Sequence, residues 1–327
     1  MSGLKTKNGV ALSALIKRNV KCFFKDKGMF FTALITPMIL LVLYATFLYK
    51  VYADSFRAGL PEGVVFEEKA LKGLVGGLLL SSLLAVSAVT VSFCANLFMV
   101  QDKATLARMD FDVSPVKQRT LAVGYYISAT INALIISLVT AVAGFIYLAC
   151  TGWYLSFWDC VLFVGDTVLL VLFGSALSAL VSYPLTTQGQ LSAVGSIVSS
   201  CYGFICGAYM PISQFSVGLQ RVLSFFPGTY ATSLVRNHAL AGVCAELESS
   251  GFPAEAIASI RAVADCDPNF FGHSVEVWHS YLVVIGTVAI LLGIYVVLHA
   301  NAEKRRLRAK GKSLEQNLAR TDEKGVK

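Results

Sequence analysis

Residues Gly73–Val100 read GLVGGLLLSSLLAVSAVTVSFCANLFMV, 28 positions without one charged side chain. A helix rising 1.5 Å per residue crosses the hydrocarbon of a bilayer in roughly 20 residues, so this stretch is long enough to span and to tilt or project beyond it. Working outward from it, five further segments are comparably apolar: Met29–Tyr49, Leu121–Cys150, Cys160–Tyr183, Gln190–Met210 and Trp278–Ala300. Inside lipid each backbone polar group needs a partner, and a helix supplies all of them within one segment. The sequence therefore predicts an all-α membrane protein with six transmembrane helices. Composition agrees. Of 327 residues, 56% are hydrophobic and 14% charged, against about 25% charged in a soluble domain. The first apolar segment is too long for the h-region of a signal peptide and five others follow it, so it reads as an uncleaved span.

Lysine and arginine set the orientation. With the N-terminus inside, residues 1–28, 101–119 and 303–327 hold 7, 4 and 9 basic residues, while the opposite side holds 4 in residues 50–72 and 3 in residues 211–280. The expectation is both termini in the cytoplasm, with the basic charge serving topology and not nucleic acid. The chain divides into a cytoplasmic tail with an interfacial helix (1–28), a transmembrane domain (29–300) and a basic cytoplasmic tail (301–327).

Between these segments lie three polar elements. In Val10–Lys25, Leu12, Leu15, Ile16, Val20, Phe23 and Phe24 fall mostly on one helical face, with Lys17, Arg18 and Lys21 elsewhere. This is an amphipathic helix for the membrane surface. It serves either as a basic anchor or as a contact for a cytoplasmic partner. The loop QDKATLARMDFDVSPVKQR (101–119) is the one substantial cytoplasmic loop between spans. A short helix over Asp102–Met109, with Asp102 as its cap, is broken by Ser114-Pro115. On the other side, the apolar stretches Ile212–Phe226 and Thr229–Leu240 are each too short to cross and are separated by Pro227-Gly228. Such a pair predicts a re-entrant hairpin before the sixth span, whose broken backbone must be buried in protein or reach water. Arg221 and Arg236 within it need the interface or partner groups. The remainder of the outer region (211–277) forms a small polar domain with Cys244 and Cys266, a candidate disulfide on the oxidising side.

Chemistry-bearing motifs are sparse. No Ser/His/Asp constellation, HExxH motif or metal-ligand spacing is present, and His238, His273, His279 and His299 are scattered. Gly311-Lys312-Ser313 looks like the end of a phosphate loop. Arg306 stands where that motif needs its first glycine, so no nucleotide, metal or other cofactor is expected on this chain. Small residues recur at i+4: Gly73, Gly77, Ser81 and Ala85 in the second span, and Ser192, Ser196 and Ser200 leading to Gly203 and Gly207 in the fifth. Stripes of this kind let backbones approach, for packing or along a pathway. Among the polar groups within spans are Asn96, Asn132 and Asp166. Asp166 is either functional or close enough to the headgroups to be hydrated.

Several of these residues also form a family pattern. Lys17-Arg18-Asn19 leads to Phe31-Thr32-Ala33-Leu34-Ile35-Thr36-Pro37. Gly207-Ala208-Tyr209-Met210-Pro211 leads to Leu223-Ser224-Phe225-Phe226-Pro227-Gly228-Thr229-Tyr230 and Leu234-Val235-Arg236. With the element order, this resembles the membrane subunit of ABC-2 type exporters over roughly residues 10–300. The resemblance implies two permease subunits, as a homodimer or paired heterodimer, above two separate ABC ATPase subunits that carry ATP and Mg. It makes Val10–Lys25 the connecting helix, 212–240 the outer re-entrant helices, and 101–119 the coupling helix with Asp102, Lys103, Arg108, Asp110 and Asp112. The implied activity is export of an amphipathic or hydrophobic substrate (drug, peptide or lipid-linked molecule) across the cytoplasmic membrane. An ion-coupled secondary transporter would show inverted repeats and several mid-membrane ionisable groups. A non-transporting scaffold is the other alternative.

Overall fold

The computed structural model describes residues 2–61, 64–105, 107, 109 and 116–325, with side chains for these except 2–8, 36, 45 and 306–325. Helix α1 (Ser2–Lys25) stops where Asp26 accepts a hydrogen bond from Met29 N and starts α2 (Lys27–Leu43). A π-helical turn (Tyr44–Leu48) leads into α3 (Tyr49–Ala58), whose Tyr52, Ala53 and Phe56 are buried. The first span was expected to end at Tyr49. Those three inward-facing residues instead extend the helix to Ala58.

Helix α4 (Glu68–Ala95) breaks at Asn96 and continues as α5 (Leu97–Ala104). Helices α6 (Gln118–Thr151), α7 (Phe157–Ser182) and α8 (Gln188–Ile205) follow. Both α7 and α8 open on capping boxes, Ser156 with Asp159 and Thr187 with Gln190, which satisfy the free N–H groups of the first turn. A 3₁₀ turn (Ile212–Gln214) and α9 (Val217–Leu223) precede α10 (Pro227–Ser249), α11 (Ala254–Val263) and a small hairpin of β1 (Asn269–Phe270) and β2 (His273–Ser274). The last helix, α12 (Val277–Gly325), runs from the sixth apolar segment into the basic tail.

Helix α4 is the axis of the bundle and packs against α2, α6, α7, α8 and α10. Every residue of its most apolar 18-residue window is buried by the rest of the chain. Its small residues allow this: a Cβ on Gly77 would lie 2.8 Å from the Ala239 carbonyl of α10. In α12 only 11% of the corresponding window is buried.

Five helices are long and apolar enough to cross a membrane: Lys27–Ala58, Glu68–Ala104, Gln118–Thr151, Phe157–Ser182 and Val277–Arg305. The expected span at Gln190–Met210 is not among them. Helix α8 has 18 residues, about 27 Å at 1.5 Å per residue, and its glutamines and serines lower its apolarity. The helical hairpin also differs from expectation. Its second arm is Pro227–Ser249 rather than Thr229–Leu240, and it is buried along most of its length.

Candidate functional site

Two polar clusters sit at opposite ends of the bundle. The first is at the end that carries the basic segments. Arg18 on α1 donates two hydrogen bonds to the Asp102 carboxylate, at 2.7 and 2.8 Å. Tyr125 Oη of α6 donates a third, at 2.6 Å to Oδ2. Asp102 is 3% exposed, whereas Arg18 is half-buried with its guanidinium edge in reach of solvent. The Asp102 hydrogen bonds hold the Arg18 guanidinium above its ordinary pKa. Beside them, buried Asn19 donates to Ser128 Oγ at 3.2 Å. Leu12 and Leu15 lie over Gly124, where a Cβ would come within 2.5 Å of Leu15. The buried stripe of α1 is thus Leu15, Asn19 and Phe23, one helical turn apart, while Lys17 and Lys21 are exposed.

The next residue faces the opposite way. Lys103 Nζ donates to the carbonyls of Tyr183 at 2.6 Å and Leu185 at 3.0 Å, in the turn between α7 and α8. A cation at these free carbonyls also complements the helix dipole. Tyr183 in turn meets α12, with its ring edge-on to His299, and Tyr295 Oη of α12 reaches Met99 Sδ of α5 at 3.3 Å. So α5, eight residues long, ties α1, α6, the α7–α8 turn and α12 into one joint. Asp102 was expected to cap a helix that follows it. It lies inside a helix that Asn96 begins, and its carboxylate is spent on Arg18 and Tyr125. Arg108, Asp110 and Asp112 lie outside the described residues.

The second cluster closes the acidic end. Buried Arg236 on α10 donates to the Gly207 carbonyl at 2.6 Å, to Asp265 Oδ2 at 3.2 Å and to Ser82 Oγ at 3.3 Å. Asp265 also accepts from Ile212 N at 2.8 Å. Burial pushes the Asp265 carboxyl above its ordinary value, with the Arg236 charge opposing. Tyr52 Oη donates to the Ala208 carbonyl at 3.2 Å. The turn after α8 is therefore gripped from α10 and α3. Gly207 takes φ +70°, a conformation that a side chain disfavours, and a Cβ on Gly203 would enter the Tyr209 ring. Both glycines sit in close contact with neighbours of the same subunit.

Asp166 is 2% exposed. It accepts from Tyr281 Oη of α12 and meets His238 Nδ1 of α10, each at 2.5 Å. Burial works against the charged imidazole, yet the hydrogen bond and charge of Asp166 outweigh it, and His238 is held above its ordinary value. Asn96 donates to Ser178 Oγ at 2.7 Å, joining α4 to α7. Asn132 is buried with neither amide atom partnered among the described residues.

Cys244 and Cys266 are both buried and both free, which corrects the disulfide expectation. The Cys266 carbonyl accepts hydrogen bonds from Ser233 and Asn237, which lie two to three turns before Cys244 on α10. Burial pushes the Cys266 thiol up to about 12.

Between the clusters, Thr32, Thr90, Ser192, Ser196, Ser199 and Ser200 edge a groove of about 430 Å³ along α2, α4 and α8. Thr90 Oγ1 is buried there without a partner among the described residues.

Residues 10–239, more than two thirds of the chain, match the family described as ABC-2 type transporter. The chain belongs to that family. No curated protein matches it. The family match runs from α1 into α10 and takes in the whole Arg18–Asp102–Tyr125 joint, while Asp265 and Tyr281 lie beyond it. An ABC-2 membrane domain is a transmembrane permease and not a nucleotide-binding domain. This ABC-2 type transporter chain is accordingly a multi-pass membrane protein and the permease part of an ABC exporter, of a family that generally works with ABC ATPase subunits.

Proposed function

We propose that the chain is the permease subunit of an exporter driven by separate ATPase subunits. It has six spans, both termini in the cytoplasm, and a path for an amphipathic or hydrophobic substrate between two permease subunits. The Arg18–Asp102–Tyr125 joint carries the proposal. A coupling segment that receives a push from an ATPase must hand it to several spans at once, and α5 touches four other elements through Met99, Asp102 and Lys103. ATP and Mg belong to the partner. Arg108, Asp110 and Asp112 belong to the loop that meets it.

The orientation rests on charge and on aromatic side chains. All three tryptophans, Trp153, Trp158 and Trp278, are exposed and flank the end of α6, the start of α7 and the start of α12. In an up-and-down order these ends share one side, where they form an interfacial belt opposite the basic segments. Helix α8 completes the count of six. It exposes Ser192, Ser196 and Ser200, a face better suited to a second subunit or to substrate than to lipid. The arms α9 and α10 act as the outer re-entrant pair. The hydroxyl-lined groove beside α8 faces the same way and gives an uncharged substrate wall.

The test is isolation of the tagged chain from its native membrane in mild detergent. The proposal expects an ATP-hydrolysing subunit to accompany it, with no hydrolysis by the chain alone. Repeated isolation of intact complexes without any ATPase would contradict it.

A further inference from the structure

Beside the Arg236–Asp265 cluster lies a second cavity of about 430 Å³, walled by α9, the end of α11 and the β1–β2 hairpin. This is within the range of small-molecule sites. Two observations point to what it holds. The first is charge. Arg221, Arg236, Asp265 and Asp267 all line the cavity. Asp265 is paired with Arg236, and Asp267 with Arg261 at 2.7 Å. Arg221 is exposed and has no carboxylate partner among the described residues. Its guanidinium sits 5.7 Å from the Phe271 ring centroid. One positive charge is left over.

The second is the rim. Phe225, Phe270 and Phe271 pack edge-to-face on one another, yet are 65, 39 and 50% exposed. Phe271 holds φ +50°, which an aromatic residue rarely adopts, in the two-residue turn that presents its ring at the cavity. Val217 and Val222 of α9 extend the apolar surface. A cation at a cavity edged by exposed aromatic rings matches an amphiphile with an anionic head and an apolar body.

We propose that this cavity binds the anionic headgroup, phosphate or carboxylate, of a membrane amphiphile in the outer leaflet. Arg221 takes the charge, and Phe225, Phe270 and Phe271 take the first part of the apolar chain. The proposal rests on the outward placement of residues 211–277 given above.

The test uses the full-length chain in phosphatidylcholine nanodiscs doped with phosphatidylglycerol, with retained lipid counted by native mass spectrometry. The wild type should retain phosphatidylglycerol preferentially. Arg221→Gln should weaken that preference roughly tenfold, the value of one charge-assisted hydrogen-bonded contact. Arg221→Lys should recover part of it. Arg221 is exposed, so these variants fold. Equal retention by wild type and Arg221→Gln would overturn the proposal. So would full displacement of the lipid by inorganic phosphate alone, or a change of oligomeric state in Arg221→Gln in place of lipid loss. Labelling of Glu255→Cys by a membrane-impermeant maleimide in intact cells checks the leaflet separately. Absence of label there would overturn the outer-leaflet assignment while leaving ATPase co-purification to judge the permease reading.

Discussion

The Arg18–Asp102 and Arg236–Asp265 pairs join the same residue types and behave as opposites. Arg236 is sealed in the bundle and binds a carbonyl, a carboxylate and a hydroxyl from three separate segments. Arg18 is half-buried and pairs with the Asp102 carboxylate from a helix that lies against the bundle rather than within it. A buried charge cannot leave its partners without a large desolvation penalty, whereas a half-hydrated one can. The acidic end is thereby built as a fixed lock and the basic end as a joint able to change. Conformational work entering at the joint can move the helices below a clamped far end.

The largest stability effect should come from breaking the lock. Arg236→Met leaves Asp265 buried without its counter-charge and the Gly207 carbonyl without its donor. It should cost about 3–5 kcal/mol, read as a fall in the midpoint of thermal unfolding in detergent. At the joint the losses should be smaller and unequal. Arg18→Gln strands a buried carboxylate on Tyr125 alone and should cost about 1–2 kcal/mol. Asp102→Asn should cost less, because Arg18 can turn to solvent. Equal losses at Arg236 and Arg18 would break the contrast between the two ends.

A pH series sharpens it further. His238 is raised above its ordinary value of about 6.5, so its charged pairing with Asp166 stabilises fully below that value. That contribution should disappear as pH rises through the folded value. The unfolding midpoint of the wild type should fall over that interval, and His238→Gln should flatten the curve. Arg18→Gln should leave the curve's shape intact. The smallest effect belongs to Lys103→Gln. It removes one cation from the α7–α8 turn and should cost about 1 kcal/mol, because Lys103 is only half-buried.

The spans were legible because length without charge is a local property. Burial was not. Helices α4 and α12 are both strongly apolar, yet one is wrapped by protein and the other mostly bare. Lipid and protein accept the same side chains, so composition does not separate the two cases. Helix α8 is less apolar than the other spans because its glutamines and serines interrupt the apolar residues. At the joint, Arg18 and Asp102 were each conspicuous, but 84 positions separate them and no local pattern announces the pair. Tyr125 and Tyr52 carried no signal, since a tyrosine in an apolar segment reads as ordinary packing. His238 looked isolated until the fold brought it to Asp166. The cysteines gave no local signal either: compartment chemistry allows a bridge, and in the fold Cys244 and Cys266 are both free.

The most direct measurement of the joint's role is transport per ATP hydrolysed, in proteoliposomes holding the chain with its ATPase partner. The variants are Arg18→Asp, Asp102→Arg and the double exchange. The account predicts that each single reversal keeps hydrolysis and loses transport, and that the double exchange regains a substantial part of the ratio. Wild-type ratios in both single variants would contradict it.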